Sequence, residues 1–409
     1  MRGASTTGPP AVRHANAAIG GPDSRRAWLI AAAAFVVGFV VFGAMYSFGV
    51  FFAPLAEEFH AGRAATSAFF SITGFAFYMA GPVTGHLSDR FGPRFMTGLG
   101  AAVMGSSLVL TGFIDRLWIG YLTYGIGLGV GASCAYVPTL AIVGGWFVRR
   151  RGTALGVAAA GTGCGMLIVP PLAAALIARC GWRLTDMIIG AGCAALLAGC
   201  ALAVSPPPLA TAAPHHSLRR VVSSFPFIML YVSWVLATTA LFVPFVYLPA
   251  FAAKGGASQL GASALLSLIG GMSVLGRLGM TGLGDRFGMT RLLKASILLM
   301  GASYLLWLFA ATYAWLVVFA AVLGIGYGVR IALMPGVLIE FFGLRNLGAT
   351  LGVFFTASGV SAVLGPLVAG WIVDRSGGYQ WGIVFALVSG MLGFLAVLPL
   401  RVEASRRGG

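Results

Sequence analysis

Eleven times this chain runs for eighteen residues or more with at most one formal charge. A bilayer-crossing helix needs about 20 apolar residues, because lipid leaves the backbone no partner but itself. Six runs fill the first half: Trp28 to Ala56, Ala64 to Ser88, Phe95 to Ile114, Leu117 to Val148, Gly152 to Ala178 and Met187 to Val204. In the second half come Val221 to Ala253 and Gly255 to Gly284, the latter interrupted only by Arg277. Ala295 to Ile339 is long enough for two spans turning near Thr312-Tyr313, with Arg330 as its one charge. Asn346 to Val373 and Ser376 to Leu400 complete twelve spans. Composition agrees: 59% of residues are apolar and 9% charged, where a soluble domain carries roughly a quarter. An all-α membrane protein is therefore expected.

An even number of spans puts both termini on one side. With the N-terminus inside, 18 of the 26 Lys and Arg residues fall on the cytoplasmic side, six opposite, and two within the membrane. The positive-inside rule then makes both termini cytoplasmic and predicts a multi-pass protein of the cell inner (plasma) membrane. Topology accounts for the net charge of +16 without nucleic acid as a partner. Residues 1–27 read as a disordered cytoplasmic tail, 205–224 as a linker between six-helix bundles at 28–204 and 225–400, and 401–409 as a second tail. The five cysteines lack metal-ligand spacing and read as small packing residues; no metal and no cofactor are expected.

The chain repeats itself. Asp89-Arg90-Phe91-Gly92 returns 196 residues later as Asp285-Arg286-Phe287-Gly288. The same offset carries Gly152, Leu155 and Gly156 onto Gly348, Leu351 and Gly352. Gly127, Gly129, Gly131 and Pro138 recur 197 residues on as Gly324, Gly326, Gly328 and Pro335. Two six-helix bundles in parallel follow, the architecture of secondary transporters that rock about a midplane site.

The stretch Gly85-His86-Leu87-Ser88-Asp89-Arg90-Phe91-Gly92-Pro93-Arg94 resembles the loop between the second and third helices of the major facilitator superfamily. Within it, Tyr46-Ser47-Phe48-Gly49-Val50-Phe51-Phe52 and Trp146-Phe147-Val148-Arg149-Arg150-Arg151-Gly152, leading into Ala160-Gly161-Thr162-Gly163, resemble the monocarboxylate transporters and the oxalate:formate antiporters. That resemblance implies the major facilitator fold and a substrate arginine at Arg277. Many members carry an acid, implicated in proton coupling, where this chain has Ser273. Its first helix also lacks the lysine of some animal members, and both departures count against proton symport by the family's usual device.

Arg277 and Arg330 carry the expected chemistry. Each costs on the order of 3 kcal/mol to insert and needs a polar partner or a wet cavity. All ten acids fall in loops, tails or span ends, so the guanidinium groups are expected to meet an anionic substrate, a carboxylate by their fork geometry. In the repeat their counterparts are Gly81 and Ser133, an asymmetry that favours a substrate role over a scaffold role. Helical spacing puts Tyr327 on the face of Arg330 and Ser273 on that of Arg277. Tyr46 and Tyr136 are further candidate ligands, on spans that line the cavity in the superfamily. A gating cluster is expected at Asp89, Arg90 and Arg94 and at Asp285 and Arg286, each carboxylate capping a neighbouring helix or pairing with the adjacent arginines. Gly163, Gly165, Pro170, Pro171, Gly365 and Pro366 are hinge candidates.

An enzyme is not expected. No membrane-embedded acid pair exists, all five histidines lie in tails, loops or span ends, and no Gly-rich Lys-Ser/Thr phosphate loop is present to bind ATP. The expected partners are a small carboxylate, a proton or counter-anion, and the lipid bilayer, with a monomer sufficing. A lactate- or pyruvate-like monocarboxylate is preferred. A dicarboxylate such as oxalate stays open because there are two arginines, and drug efflux is the rival reading.

Overall fold

A computed structural model of the chain describes residues 21–61, 63–207, 218–257, 259–344 and 347–400. Residues 1–20, 62, 208–217, 258, 345–346 and 401–409 lie outside them, among them Arg2, Arg13, His215, His216, Arg345, Glu403, Arg406 and Arg407. The described residues form twelve helical spans and no strand.

In the first half, α1 is Arg25–Tyr46, resumed as Phe48–Glu58 after Ser47; α2 is Arg63–Phe91, α3 Pro93–Thr111 and α4 Leu117–Val143. Arg151–Ala203 is two spans, α5 and α6, meeting at Gly181. Its φ of 75° and ψ of 166° lie outside any helix and in a region L side chains avoid. In the second half, α7 is Phe225–Lys254; α8 comprises Gln259–Leu275, Gly276–Met280 and Leu283–Phe287; α9 is Met289–Leu308, α10 Tyr313–Phe342, α11 Leu347–Ser376 and α12 Gln380–Val397. By length and hydropathy alone, seven of the described helices can cross a membrane, Arg151–Ala203 counting as one.

Two expectations shift at the boundaries. The segment read as tail to residue 27 already holds structure: Ser24 Oγ caps Ala27 N at 3.3 Å, and α1 starts at Arg25. Just before it, the Asp23 carboxylate accepts from the backbone N–H groups of Val148, Arg149 and Arg150 at 3.1–3.3 Å, tying the N-terminal segment to the start of α5. Within the linker, Leu218–Val222 is a short helix.

The sequence repeat becomes two crossings between the halves, α2 with α11 and α5 with α8. Both are built on glycine. A Cβ on Gly352 would stand 1.9 Å from Gly81 O, and one on Gly85 2.0 Å from Gly348 O. Across α5 and α8, a Cβ on Gly156 would meet Thr281 Oγ1 at 2.0 Å and Arg277 O at 2.2 Å. The crossings converge on the face bearing the two Asp-Arg-Phe-Gly turns, hereafter the loop face. The glycine ending each turn has φ near 90°, 87° at Gly92 and 92° at Gly288, which explains its recurrence. Of the close packing and bending read for the hinge candidates, this structure shows the packing. Pro170, Pro171, Gly365 and Pro366 lie within continuous helix, and the break in the α5–α6 run falls at Gly181. Gly163 serves close packing: a Cβ there would sit 2.4 Å from Val274 Cγ2 and 3.3 Å from Arg277 Nη1.

Candidate functional site

A cavity of about 300 Å³ lies between the halves, walled by α1, α2, α4 and α5 on one side and α7, α10 and α11 on the other. Tyr46, Tyr136, Tyr327 and Arg330, all read from the sequence as candidates, line it. Arg277 and Ser273 do not.

Arg330 comes from the middle of α10, opposite Thr238 of α7. It is 1% exposed, its Nη2 donates to Thr238 Oγ1 at 2.9 Å, and its Cζ lies 4.2 Å from the centre of the Trp234 ring. Trp234 is itself held by its Nε1–H, which donates to Ser358 Oγ of α11 at 2.7 Å. Nε and Nη1 of Arg330 have no partner among the described residues. No acid lines the cavity, so this cation stands over it without a counter-ion.

Arg277 is used differently. It sits in the π-wound turn Gly276–Met280 of α8 and points across to α5. Its Nη1 donates to Ala159 O at 3.0 Å and, closer still, to Thr162 Oγ1. The Tyr327 ring, part of the cavity wall, lies 5.5 Å from its Cζ. The expectation of two guanidinium groups without protein partners is thus corrected: Arg277 ties the halves together, and its asymmetry serves the α5–α8 crossing in this state. The Ser273 hydroxyl donates to Gly270 O of its own helix, so it stands outside the cavity, as Arg277 does.

The rest of the wall is largely aromatic. Phe42 packs edge-on against Tyr136 and Phe77, with ring centres 5.1 and 5.8 Å apart, and stacks with Tyr46 at 6.2 Å. Toward the loop face the halves are closed by their crossings. On the opposite side Tyr46 and Phe70 are each 38% exposed.

The two loop aspartates form reciprocal caps. Asp89 accepts from Gly348 N at 3.2 Å and Ala349 N at 2.9 Å, at the start of α11. Asp285 accepts from Gly152 N at 2.7 Å, Thr153 N at 3.2 Å and Thr153 Oγ1 at 3.0 Å, at the start of α5. Each half therefore caps a helix of the other, where the helix dipole favours a carboxylate. The expected pairing of Asp89 with Arg90 or Arg94 is absent among the described residues. Arg90 stacks on Phe91 at 5.3 Å instead, and the backbone N–H groups occupy the carboxylate. Arg94 and Arg286 are exposed.

Trp234, Thr238, Ser358 and Thr162 escaped the sequence reading. The repeat offset held a usable signal, because Thr238 and Phe242 lie 196 residues after Phe42 and Tyr46 and all four line the cavity. One acid also departs from expectation. Asp186, one turn beyond Gly181, is 1% exposed and its Oδ2 has no described partner. No group of three or more metal-ligating side chains occurs among the described residues.

The profile of the Major Facilitator Superfamily matches residues 34–293 and 256–408. Monocarboxylate transporter 3 of Rattus norvegicus is 30% identical over 90% of this chain and 78% of its own length. Monocarboxylate transporter 13 of Bos taurus is 30% identical over 92% of the chain and 90% of its own. Among solved structures, FucP in its outward conformation aligns with a TM-score of 0.70 at 14% identity, covering 91% of this chain and 98% of FucP. The proton:xylose symporter XylE aligns at 0.72 and 17% identity, covering 90% and 94%. These likenesses make the protein a multi-pass membrane transporter of a small molecule rather than an enzyme. With the profile spanning both halves and the monocarboxylate transporters aligned along most of its length, the chain belongs to the major facilitator superfamily and resembles its monocarboxylate transporters.

Proposed function

We propose that the chain is a secondary transporter of small organic carboxylates that works by alternating access. One observation carries the substrate class: Arg330 lines a cavity without acids and leaves Nε and Nη1 unbonded. A buried cation with free donors is satisfied best by an anion with two oxygens, and guanidinium suits a carboxylate. The relatives' printed names support the same class. Because one guanidinium faces the cavity and the other is held by α5, a monocarboxylate fits better than a dianion in this state.

Access alternates as the two crossings part. The Asp89 and Asp285 caps and the glycine contacts close the loop face, and the cavity opens toward the face where Tyr46 is exposed. By the positive-inside tally the loop face and both termini are cytoplasmic, which makes this an outward-facing arrangement in the cell inner membrane. Proton or counter-anion coupling completes the reading, with a monomer sufficient because the cavity lies within one chain.

The test is uptake of labelled carboxylates into proteoliposomes holding the purified chain, with competition by lactate, pyruvate, oxalate and malonate. Saturable uptake blocked by monocarboxylates is expected. Preference for the dianions would overturn the valence assignment, and absence of any carboxylate uptake would overturn the class.

A further inference from the structure

The cavity is larger and less polar than a three-carbon acid requires. At about 30 Å³ per water, lactate or pyruvate on Arg330 would leave roughly two thirds of the cavity to solvent. Both sides of the wall carry rings, but only one carries charge. The second half supplies the cation Arg330 with Thr238 and Ser358, among rings of its own at Trp234, Phe242, Phe245, Tyr327 and Phe355. The first half supplies rings: Phe42, Tyr46, Phe70, Phe77, Tyr78 and Tyr136. Small-molecule sites of this composition bind a ligand by its apolar body and orient it by a few polar groups.

Resting on the carboxylate reading, we infer that the transported substrate carries an aromatic or similarly broad apolar body on its carboxylate, as an arylacetate or aryl-2-oxo acid does. The carboxylate meets Arg330 on the second half while the ring packs among Phe42, Phe77 and Tyr136 on the first. Such a molecule touches both halves at once. A lone small acid on Arg330 would leave the six rings of the first half facing water, so its binding would do little to draw the halves together. Aromatic rings gain from edge-on neighbours beyond the area they bury. The positive centre sets this cavity apart from one built for aromatic cations.

The experiment uses the purified full-length chain. Binding is measured by competition and thermal shift for the pairs pyruvate and phenylpyruvate, acetate and phenylacetate, with uncharged phenylacetamide as control. Each aryl acid is expected to bind about thirtyfold tighter than its methyl counterpart, the order expected from burying a phenyl ring's extra apolar surface. Labelled phenylacetate should enter proteoliposomes. Phe42→Ala should shrink the aryl preference to a few-fold; should that variant fold poorly, Tyr46→Ala, at a half-exposed position, provides the same comparison. Equal or tighter binding of pyruvate and acetate would overturn this inference and leave the carboxylate reading standing. Phenylacetamide binding as tightly as phenylacetate would overturn both.

Discussion

Arg330→Gln isolates the charge that defines the cavity. In the empty protein the guanidinium has one hydrogen bond, to Thr238 at 2.9 Å, and two buried nitrogens without a partner. Each unsatisfied buried donor costs roughly 1–3 kcal/mol, more when charged. Neutralising it should therefore leave the empty protein at least as stable, even though the contact with Trp234 weakens. A bound carboxylate would satisfy both donors, at about 1.5–3 kcal/mol per charge-assisted bond. Glutamine can return about one neutral bond of that pair. The net loss of about 3 kcal/mol corresponds to roughly a hundredfold weaker binding. The expected result has two parts: an unchanged or raised Tm without ligand, and carboxylate affinity lowered about a hundredfold in the same preparation. A lowered Tm with affinity within threefold of wild type would show that Arg330 is a structural residue and would refute the argument.

Three further outcomes follow from the crossings and the α5–α6 junction. Asp89→Asn and Asp285→Asn should slow exchange in proteoliposomes while leaving affinity within a few-fold. The second should be slower, since Asp285 accepts from three groups and Asp89 from two; a loss of affinity with turnover intact would contradict the latch. Gly352→Ala places a methyl 1.9 Å from Gly81 O and should part α2 from α11, so a Leu351→Cys probe should be alkylated faster from the loop face than in the glycine parent. Gly181→Ala should lower Tm through roughly 1–2 kcal/mol of left-handed strain, whereas Gly199→Ala, in helix with equal open space, should not. Equal Tm changes would mean that backbone conformation is not what fixes Gly181.

What the sequence revealed and what it concealed divide along a physical line. Charge-free runs reveal spans because the bilayer acts on each helix alone, and the turn between α9 and α10 fell at Thr312 as read. The repeat revealed the halves, and even the glycines of the crossings, since equivalent positions meet equivalent constraints. Tyr327 and Arg330 share a wall because α10 is regular between them. Ser273 and Arg277 stay out of that wall, one bonded to Gly270 O and the other to α5, partners that no periodicity announces. Partner choice was the larger gap. That Arg277 meets Ala159 and Thr162 depends on how the halves cross, and a chain read helix by helix carries no record of that. Trp234 looked like one more apolar residue until its ring was found beneath a guanidinium.

Arg277 provides the last test, because its present bonds must break when α5 and α8 separate. Three successive turns of α8, at Asp285, Thr281 and Arg277, meet three of α5, at Gly152, Gly156 and Ala159 to Thr162. Opening the loop face frees the Asp285 carboxylate into water, which replaces its partners at little cost. Arg277 is 2% exposed and has no such replacement at hand. Losing two hydrogen bonds from a buried charge costs about 3–6 kcal/mol unless another acceptor arrives. A carboxylate bound in the cavity, whose wall Tyr327 shares with the surroundings of Arg277, would be such an acceptor. On the proposed transport reading, opening would then depend on substrate. Arg277→Ala removes both the tie and the penalty, so the loop face should open without substrate and productive transport should fall nearly to zero. Binding to the outward-facing state, which rests on Arg330, should stay within a few-fold. Arg277→Lys can keep the bond to Ala159 O but not both bonds with the stacking on Tyr327, and should lose most transport. The measurement is alkylation of the Leu351→Cys probe from the loop face, with and without phenylacetate. In the Arg277 parent, substrate should raise the rate; in Arg277→Ala the rate should be high and indifferent to substrate. A low rate in the alanine variant, together with more than tenfold weaker binding, would place Arg277 in the cavity as a direct ligand and refute its role as the tie.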